Sequence, residues 1–282
     1  MSEGYVHGYH AREKERLHDQ AGALSELLHS DTAYPAGSSV LEAGCGVGAQ
    51  TLTLARRSPG ARFLSIDISA ESIAEARSRV REAGLDNVEF RQADILAPPF
   101  GADSFDHVFV CFVLEHLAEP CRALLALRTL LRPGGSITVI EGDHGSAYFH
   151  PDSADAQAAI DCLVEMQRRA GGDALIGRRL HPLLVETGFD GVRVSPRMVY
   201  VDRSRPDLVD GFTRKTFTAM VEGVRDAALA AGLIEPERFD AGIRDLYRTA
   251  ALDGVFCYTF FKGVGEKGGA PAAGHKAPPA LP

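Results

Sequence analysis

The stretch Val40–Thr51, VLEAGCGVGAQT, decides the fold. It begins with apolar residues, continues through Gly44, Gly46 and Gly48, and then favours a helix. A buried strand that enters a glycine-rich turn before a helix is typical of nucleotide-binding α/β proteins. The glycines let a ligand approach the backbone, and the first turn of the helix offers unpaired N–H groups. The turn alone leaves open which nucleotide-containing ligand binds.

Strand and helix patterns alternate along the chain after this turn. Short connections between alternating strands and helices predict a mostly parallel sheet with helices on both faces, which is an α/β fold. Ligands bind such sheets beyond the carboxyl ends of the strands, so we expect the functional residues there. The seven predicted strands are 39–43, 61–67, 87–94, 105–113, 136–142, 192–201 and 254–263.

The segments outside this alternation predict additional parts. Residues 1–38 form an N-terminal arm and an amphipathic helix, which we expect to act as a lid. Two helical insertions, 146–171 and 205–251, are expected to cap the ligand edge of the sheet. Residues 264–282 are rich in Gly, Pro and Ala and are predicted to be a disordered tail. The cofactor-binding core is the remainder, namely 39–145, 172–204 and 252–263.

Composition excludes several classes of function. The 282 residues carry a net charge of −8, which disfavours a protein that follows a nucleic-acid backbone. The number of cysteines is odd, at 5, and none forms a CxxC pair, so a disulfide scaffold is not expected. No apolar run is long enough for a membrane span, and no secretory signal is recognisable. We therefore expect a cytoplasmic protein.

Acidic residues at the strand ends restrict the ligand. Glu42 lies two positions before the first glycine, where it would repel a pyrophosphate and attract an ammonium group. Asp67 ends the second strand, where a carboxylate accepts hydrogen bonds from a ribose diol. Asp94 ends the third strand and can accept from an adenine amine. S-adenosylmethionine has an adenosine, an ammonium and no phosphate, so it fits. Because Gly44, Gly46 and Ala49 also match the dinucleotide fingerprint, an NAD-dependent oxidoreductase remains an alternative.

Five motifs occur in one order between residues 39 and 263, namely EAGCGVG, SIDIS, QADIL, SFDHVFVCFVLEHL and LRPGG. Over this range the chain resembles the class I S-adenosylmethionine-dependent methyltransferases, which have a Rossmann-like seven-stranded sheet. The resemblance implies that Glu42 orients the glycine turn and the methionine amine. It also implies that Gly44 offers backbone contacts to the methionine part and that Gly46 and Gly48 belong to the cofactor site.

The other cofactor residues are implied by the same resemblance. Asp67 would hold the ribose hydroxyls, and Ile68 would pack on the adenine. Asp94 and the backbone of Ile95 would form hydrogen bonds with the edge of the adenine. Cys111 and Phe112, at the end of the fourth strand, would flank the sulfonium.

Candidate catalytic residues lie in three stretches rich in acids, imidazoles and aromatics. His7 and Tyr9 belong to GYVHGYH near the N-terminus, Glu115 to LEHL, and His144 and His150 to EGDHGSAYFHP. Each could equally be an exposed surface group. A base is needed only if the acceptor must lose a proton.

These observations predict a methyltransferase for a small-molecule acceptor. An aromatic or indole-type natural product, methylated at carbon or nitrogen, suits the titratable and aromatic residues left after the cofactor is placed. We expect no metal site and no nucleic-acid or membrane partner. A protein methyltransferase is a further alternative, but it needs an open groove, which the predicted cap disfavours. The oligomeric state is left open.

Overall fold

The computed structural model describes residues 24–269, and it confirms the predicted α/β fold with seven strands in one sheet. The strands are β1 (Ser39–Ala43), β2 (Arg62–Asp67), β3 (Val88–Gln92), β4 (Phe105–Cys111), β5 (Leu131–His150), β6 (Phe189–Val201) and β7 (Val255–Lys267). Their order is β3-β2-β1-β4-β5-β7-β6. The pairs from β3 to β5 are parallel, and β7 runs antiparallel to both of its neighbours.

The order of the strands reverses between β1 and β4. The chain passes from β1 outward through β2 to β3, and then returns to the other side of β1 as β4. Loops on the two sides of such a reversal separate at the carboxyl edge and leave a crevice for a ligand. The glycine turn follows β1, so it lies at this crevice.

Helices cover both faces of the sheet, as predicted. One face packs against α1 (24–29), α2 and the cap helices, while α4 and α6 cover the other. The remaining helices are α2 (Ala49–Arg57), α3 (Ala70–Glu82), α4 (Pro120–Leu130), α5 (Ala154–Arg169), α6 (Leu180–Glu186), α7 (Pro206–Leu208), α8 (Ala219–Gly223), α9 (Arg225–Ala230) and α10 (Pro236–Arg248). Short 3₁₀ turns span Leu114–His116 and Ile176–Arg179, and a π-helix spans Val209–Thr218.

Strand β5 is longer than expected. The prediction ended it at residue 142 and treated the following residues as a loop, which is wrong, because the strand runs to His150. The reason is its antiparallel partner β7, which continues past the carboxyl edge and pairs with Tyr148 through His150. The register shifts between Asp143 and Tyr148, so four residues bulge out of the ladder there.

The extension of β5, β6 and β7 carries the cap helices. Phe256, Tyr258 and Phe260 alternate along β7, and all three are buried on one face. Phe212 and Phe217 of the π-helix pack edge-on or tilted against them, with ring centroids 4.8–6.1 Å apart. Aromatic rings arranged in this way bury a large apolar area. The helical segment 206–248 is therefore anchored on the strands that leave the carboxyl edge.

The two ends of the described range can be compared with the predicted N-terminal helix and the predicted C-terminal tail. Leu24 and Leu28 of α1 are buried, which agrees with the amphipathic pattern predicted for the N-terminal helix. The expectation that a disordered tail begins at residue 264 is wrong, because β7 continues to Lys267 with β5 and β6 as partners. Within residues 24–269, no helix is long and apolar enough to cross a membrane.

Candidate active site

The glycine turn has the geometry that its sequence predicts. Gly44, Gly46 and Gly48 have positive φ angles of 81°, 50° and 80°. A Cβ at Gly44 would collide with the side chain of Val113, so this glycine permits contact with the turn after β4. A Cβ at Gly46 would meet nothing within 4 Å. The backbone at Gly46 therefore faces open space, where a ligand can approach it.

Glu42 is buried below this turn, and hydroxyl groups satisfy it. Its side chain is only 2% exposed, and Oε2 accepts hydrogen bonds from Thr51 Oγ1 at 2.7 Å and Ser65 Oγ at 2.6 Å. Burial raises the pKa of the carboxyl to about 7. This strand-end acid is thus held by neutral donors, and it forms no ion pair with a Lys or Arg of residues 24–269.

Asp67 joins the end of β2 to the glycine turn. Its Oδ2 accepts the Gly46 N–H at 2.8 Å, and its Oδ1 accepts the Ser69 N–H at 2.9 Å. A carboxylate offers about four lone-pair sites, so two bonds leave acceptors for another donor. The next side chain, Ile68, is 60% exposed. A hydrogen-bond acceptor, Asp67, and an exposed apolar side chain, Ile68, therefore lie side by side at the carboxyl edge. This is the arrangement expected if Asp67 binds a ribose and Ile68 packs on an adenine.

The residues after β3 form a short turn at the same edge. Asp94 is exposed, and its Oδ1 accepts the Leu96 N–H at 2.8 Å. Ile95 is half-buried against the core beneath the sheet. The structure thus places the predicted adenine-reading residues beside those of β2, since β2 and β3 are neighbours.

Phe112 has an unusual backbone conformation directly after β4. Its φ is +56°, a left-handed value that is rare for a bulky residue and is often found at functional sites. The Phe112 N–H donates to the Ile140 carbonyl at 2.9 Å, and its ring lies 5.5 Å from that of Phe260. Cys111, the last residue of β4, is buried, and burial raises the pKa of its thiol. The chain therefore turns sharply at the two residues predicted to flank the sulfonium.

Glu141 holds the turn that follows, a role that the sequence did not reveal. Its side chain is fully buried, and Oε1 accepts the N–H groups of Val113 at 3.1 Å and Leu114 at 2.8 Å. Its other oxygen, Oε2, is buried and has no hydrogen-bond partner. Burial, followed by repulsion from Glu115, raises the pKa of Glu141 well above its usual value. The available signal was an acid at the end of an apolar strand, as at Glu42.

Glu115 is buried close to Glu141, and the structure links it to the cap. Its side chain is 8% exposed, and Oε1 lies 3.3 Å from His116 Nε2. Its carbonyl accepts hydrogen bonds from the Asp173 N–H at 2.9 Å and the Gln167 side chain at 3.1 Å. Since Gln167 belongs to α5, the turn after β4 and the first cap helix are fixed together.

His144 lies in the bulge of β5, and the bulge aims its side chain inward. The imidazole is 4% exposed, and Nδ1 lies 2.7 Å from the hydroxyl of Tyr258. Phe217 of the cap packs edge-on against the imidazole at 6.1 Å. Burial, then repulsion from Glu115, raises the pKa of Tyr258 well above its usual value. Tyr258 lies in the predicted last strand, and no sequence signal paired it with a histidine 114 residues away.

The structure does not bring all predicted catalytic residues together. His150 is exposed at the far end of β5, where it pairs with Val255, so it lies apart from the bulge that holds His144. The other two candidates, His7 and Tyr9, lie outside the described residues. In the described part of the chain, no group of three or more His, Cys, Asp or Glu side chains is placed to hold a metal ion.

Comparison with known proteins identifies relatives of this arrangement. Residues 35–188, more than half of the chain, match the family described as "Methyltransferase domain". An uncharacterized 37.1 kDa protein in transposon TN4556 of Streptomyces fradiae is 35% identical over 202 residues, covering 71% of this chain and 57% of that protein. Methyltransferase GfsG of Streptomyces halstedii is 34% identical over 119 residues, or 42% of each chain. The chain thus spans about half the length of these relatives.

A solved structure shows the same fold. Phosphoethanolamine N-methyltransferase 2 of Haemonchus contortus, in complex with S-adenosyl-L-methionine, superposes with a TM-score of 0.54 at 16% identity. The superposition covers 89% of this chain and 52% of that protein.

Proposed function

The chain belongs to the methyltransferase-domain family, and from this premise we propose that it transfers a methyl group from S-adenosylmethionine to a small-molecule acceptor. The resemblance to class I methyltransferases is confirmed by this match and by the fold. One observation carries the proposal. Glu42, the open backbone at Gly46 and the Asp67 carboxylate meet at the reversal of strand order, where this family of folds binds ligands.

The residues at the crevice fit S-adenosylmethionine. Gly46 has room for a ligand on its Cβ side, and Asp67 retains lone pairs for a ribose diol. Ile68 offers an exposed apolar surface to a flat base, and Asp94 with Ile95 lies on the adjoining strand end. When bound, S-adenosylmethionine supplies an electrophilic methyl group on a sulfonium.

Glu42 provides the electrostatic reason to prefer this cofactor over NAD. Its carboxylate is buried directly behind the glycine turn and has no Lys or Arg partner among the described residues. Bringing a pyrophosphate to the turn would place like charges together, whereas an ammonium group is attracted. An NAD-dependent oxidoreductase is thus the less favoured assignment.

The acceptor pocket is proposed to lie beyond β4 and β5, under the cap. We propose that Glu115 of the 3₁₀ turn and His144 of the β5 bulge, both buried, line this pocket. The Tyr258 hydroxyl fixes the ring of His144 through Nδ1. The remaining catalytic work of this chain is to orient the acceptor and exclude water.

The enclosing helices support a small acceptor. The segment 206–248 packs on the strands that leave the carboxyl edge, so we propose that it covers the pocket, together with α5. The predicted lid is retained as a proposal only for residues 1–23, which lie outside the described residues, because α1 packs on a face of the sheet. His7 and Tyr9 are proposed to reach the acceptor from that lid, and His150 from the rim. An aromatic or indole-type acceptor, methylated at carbon or nitrogen, suits a buried carboxylate and imidazole that can accept its N–H. The division into lid, core and cap is part of this proposal.

The net charge and the free thiols support the expected substrate class and cellular location. A net charge of −8 disfavours a nucleic-acid substrate. All five cysteines are unpaired thiols, as is usual in a reducing compartment, so we propose a cytoplasmic location.

Transfer of a labelled methyl group tests the proposal. The purified protein would be incubated with methyl-labelled S-adenosylmethionine and a panel of indoles, phenols and aliphatic amines. We expect labelled product with an aromatic N–H or electron-rich ring acceptor. Activity should be lost in the double variant Glu115→Ala with His144→Ala, and retained in His181→Ala, which changes an exposed histidine of α6. Full activity of the double variant, with or without His150→Ala, would contradict the proposed acceptor site.

A further inference from the structure

The extension of β5, β6 and β7 beyond the carboxyl edge has two faces, and the cap covers one of them. The π-helix packs on the face that holds Phe256, Tyr258 and Phe260. Successive residues of a strand point to opposite faces, so Cys257 and Thr259 of β7 belong to the other face. The cap therefore leaves this other face uncovered.

Three large side chains on the uncovered face are exposed and lie in neighbouring positions. Tyr148 of β5 and Tyr200 of β6 both pair with Cys257, and Met198 of β6 pairs with Thr259. The exposed fractions of Tyr148, Met198 and Tyr200 are 55%, 53% and 48%. The Tyr148 hydroxyl lies 3.0 Å from the Met198 sulfur, so these two side chains meet across β7. We call Tyr148, Met198 and Tyr200 the outer patch.

The outer patch has the composition of the centre of a protein–protein interface. Tyrosine and methionine are enriched at such centres, whereas charged residues are depleted. The three side chains together expose roughly 300 Å², which is the size of patch that on a monomer is often functional. A stable interface buries about 800 Å² on each partner, so the outer patch would supply the centre and its rim the remainder.

The rim of the outer patch carries opposite charges on its two sides. On the β5 side, Asp152 is exposed and lines, together with Tyr148, an open cavity of about 340 Å³. On the β6 side, Arg203 and Arg205 are exposed in the turn after the strand. None of these three charges forms an ion pair with another residue of the described range 24–269. A negative corner with a cavity therefore lies across β7 from a positive corner.

The two corners lie at the same height along the strands. Asp152 follows His150, the last paired residue of β5, by two positions, and Arg203 follows Val201, the last paired residue of β6, by two positions. Since the strands between them are paired side by side, the opposite charges mark the two upper corners of one surface. A surface with this pattern is complementary to a copy of itself turned over about the strand direction.

We propose that the outer patch is the contact surface of a homodimer, in which two copies stack these faces about a two-fold axis parallel to β7. Such an axis keeps the strand direction and sets β5 of one copy over β6 of the other. Two twisted sheets commonly pack face to face with nearly aligned strands in this way. The inference is independent of the proposed function.

The charges at the rim decide between the possible axes. With the axis parallel to β7, Asp152 and its cavity receive Arg203 and Arg205 of the partner subunit, and the contact occurs twice because the interface is symmetric. An axis perpendicular to the strands would set β5 over β5 and β6 over β6. Like charges would then face each other at both corners, which is unfavourable.

Sedimentation velocity of the full chain at increasing concentration tests the association. We expect a species of twice the 30.2 kDa of one chain. Met198→Glu with Tyr200→Glu should raise the dissociation constant of the dimer about a hundredfold or more, because two charges enter the centre of the interface. Leu125→Glu, at an apolar site of α4 that is 50% exposed, is the matched control and should sediment as the wild type. A monomeric wild type, or a dimer that the double substitution leaves intact, would overturn the proposal.

Exchanging the charges of the rim tests the axis. Asp152→Arg makes both corners of a chain positive, and Arg203→Asp with Arg205→Asp makes both corners negative, so each variant alone should dimerise about tenfold more weakly or worse. An equal mixture of the two variants should form a heterodimer, because opposite charges then meet at both corners. Undiminished dimers of each variant alone, or a mixture that associates no better than its components, would overturn the two-fold arrangement.

Removal of residues 270–282 tests whether another part of the chain occupies the outer patch. This segment is rich in proline and alanine, and proline-rich segments bind aromatic surfaces. We expect the truncated chain to form the same dimer as the full chain. A full chain that is monomeric and dimerises only after truncation would show that the segment covers the outer patch, and it would overturn the proposal.

Discussion

Protonation of His29 should destabilise the protein in mild acid. This α1 histidine is fully buried, and its Nε2 lies 2.6 Å from the side-chain oxygen of Gln50, at the start of the helix that follows the glycine turn. Its Nδ1 is buried and has no partner. Burial lowers the pKa of His29 from 6.5 to about 4 in the folded protein.

The sign of the effect follows from proton linkage. Between pH 6.5 and 4 the unfolded chain binds a proton at His29 that the folded protein does not, so stability falls as the pH falls through this window. The contribution is fully present above pH 6.5. With these pKa values, the free energy of unfolding loses about 2 kcal/mol between pH 7.5 and pH 5, and about 3 kcal/mol by pH 4.

Urea unfolding at pH 7.5, 6 and 5 would measure this loss in the wild type and in His29→Gln. The amide of the variant can still donate to Gln50 but cannot be protonated, so its stability should depend less on pH, by about 2 kcal/mol over this range. Other titrating groups, such as Glu42, contribute equally to both proteins and cancel in the difference. His181→Gln, at an exposed site, is the control. Parallel pH profiles for the wild type and His29→Gln would refute the reasoning.

Three further predictions concern the site and its cap. Gly46→Ala should lower the free energy of unfolding by about 1 kcal/mol, because alanine is strained at the positive φ of this position. It should also weaken S-adenosylhomocysteine binding about tenfold or more, because the added methyl group occupies space proposed for the ligand. Gly37→Ala has the same type of φ and open surroundings but lies before β1, so calorimetry should show unchanged binding. Tyr258→Phe should lose about 1–2 kcal/mol in urea unfolding, because His144 loses its partner, whereas Tyr200→Phe at a half-exposed site should lose little. Phe217→Ala, which empties the aromatic contact between cap and sheet, should lose about 3–5 kcal/mol, and a loss below about 1 kcal/mol would show that the cap is not anchored there.

Local patterns were sufficient to predict the core of the fold. β1 was predicted with its observed bounds, because a short, mostly apolar stretch ends at a glycine turn. The helix after β2 begins after Ser69, whose hydroxyl accepts the Ser72 N–H, and serine is favoured at this position before a helix. The acids Glu42 and Asp67 could be assigned because each ends a strand, and parallel strands bring their carboxyl ends to one edge.

Long-range pairing set the features that were missed. Residues 142–150 contain glycines and polar groups and resemble a loop, but β7 supplies a partner from more than a hundred residues away. The same pairing brings the Tyr258 hydroxyl to His144. The left-handed φ of Phe112 has no sequence signal, since a bulky residue adopts it only when surrounding contacts impose it.

Calorimetric titration of the purified protein with S-adenosylhomocysteine and, separately, with NAD tests the central claim most directly. The account predicts that one S-adenosylhomocysteine binds per chain and that NAD gives no heat. Asp67→Asn should lower the affinity for S-adenosylhomocysteine about tenfold or more. Asp86→Ala, at an exposed turn, should leave this affinity unchanged. Binding of NAD without S-adenosylhomocysteine would contradict the account, because the turn behind Glu42 would then hold a pyrophosphate.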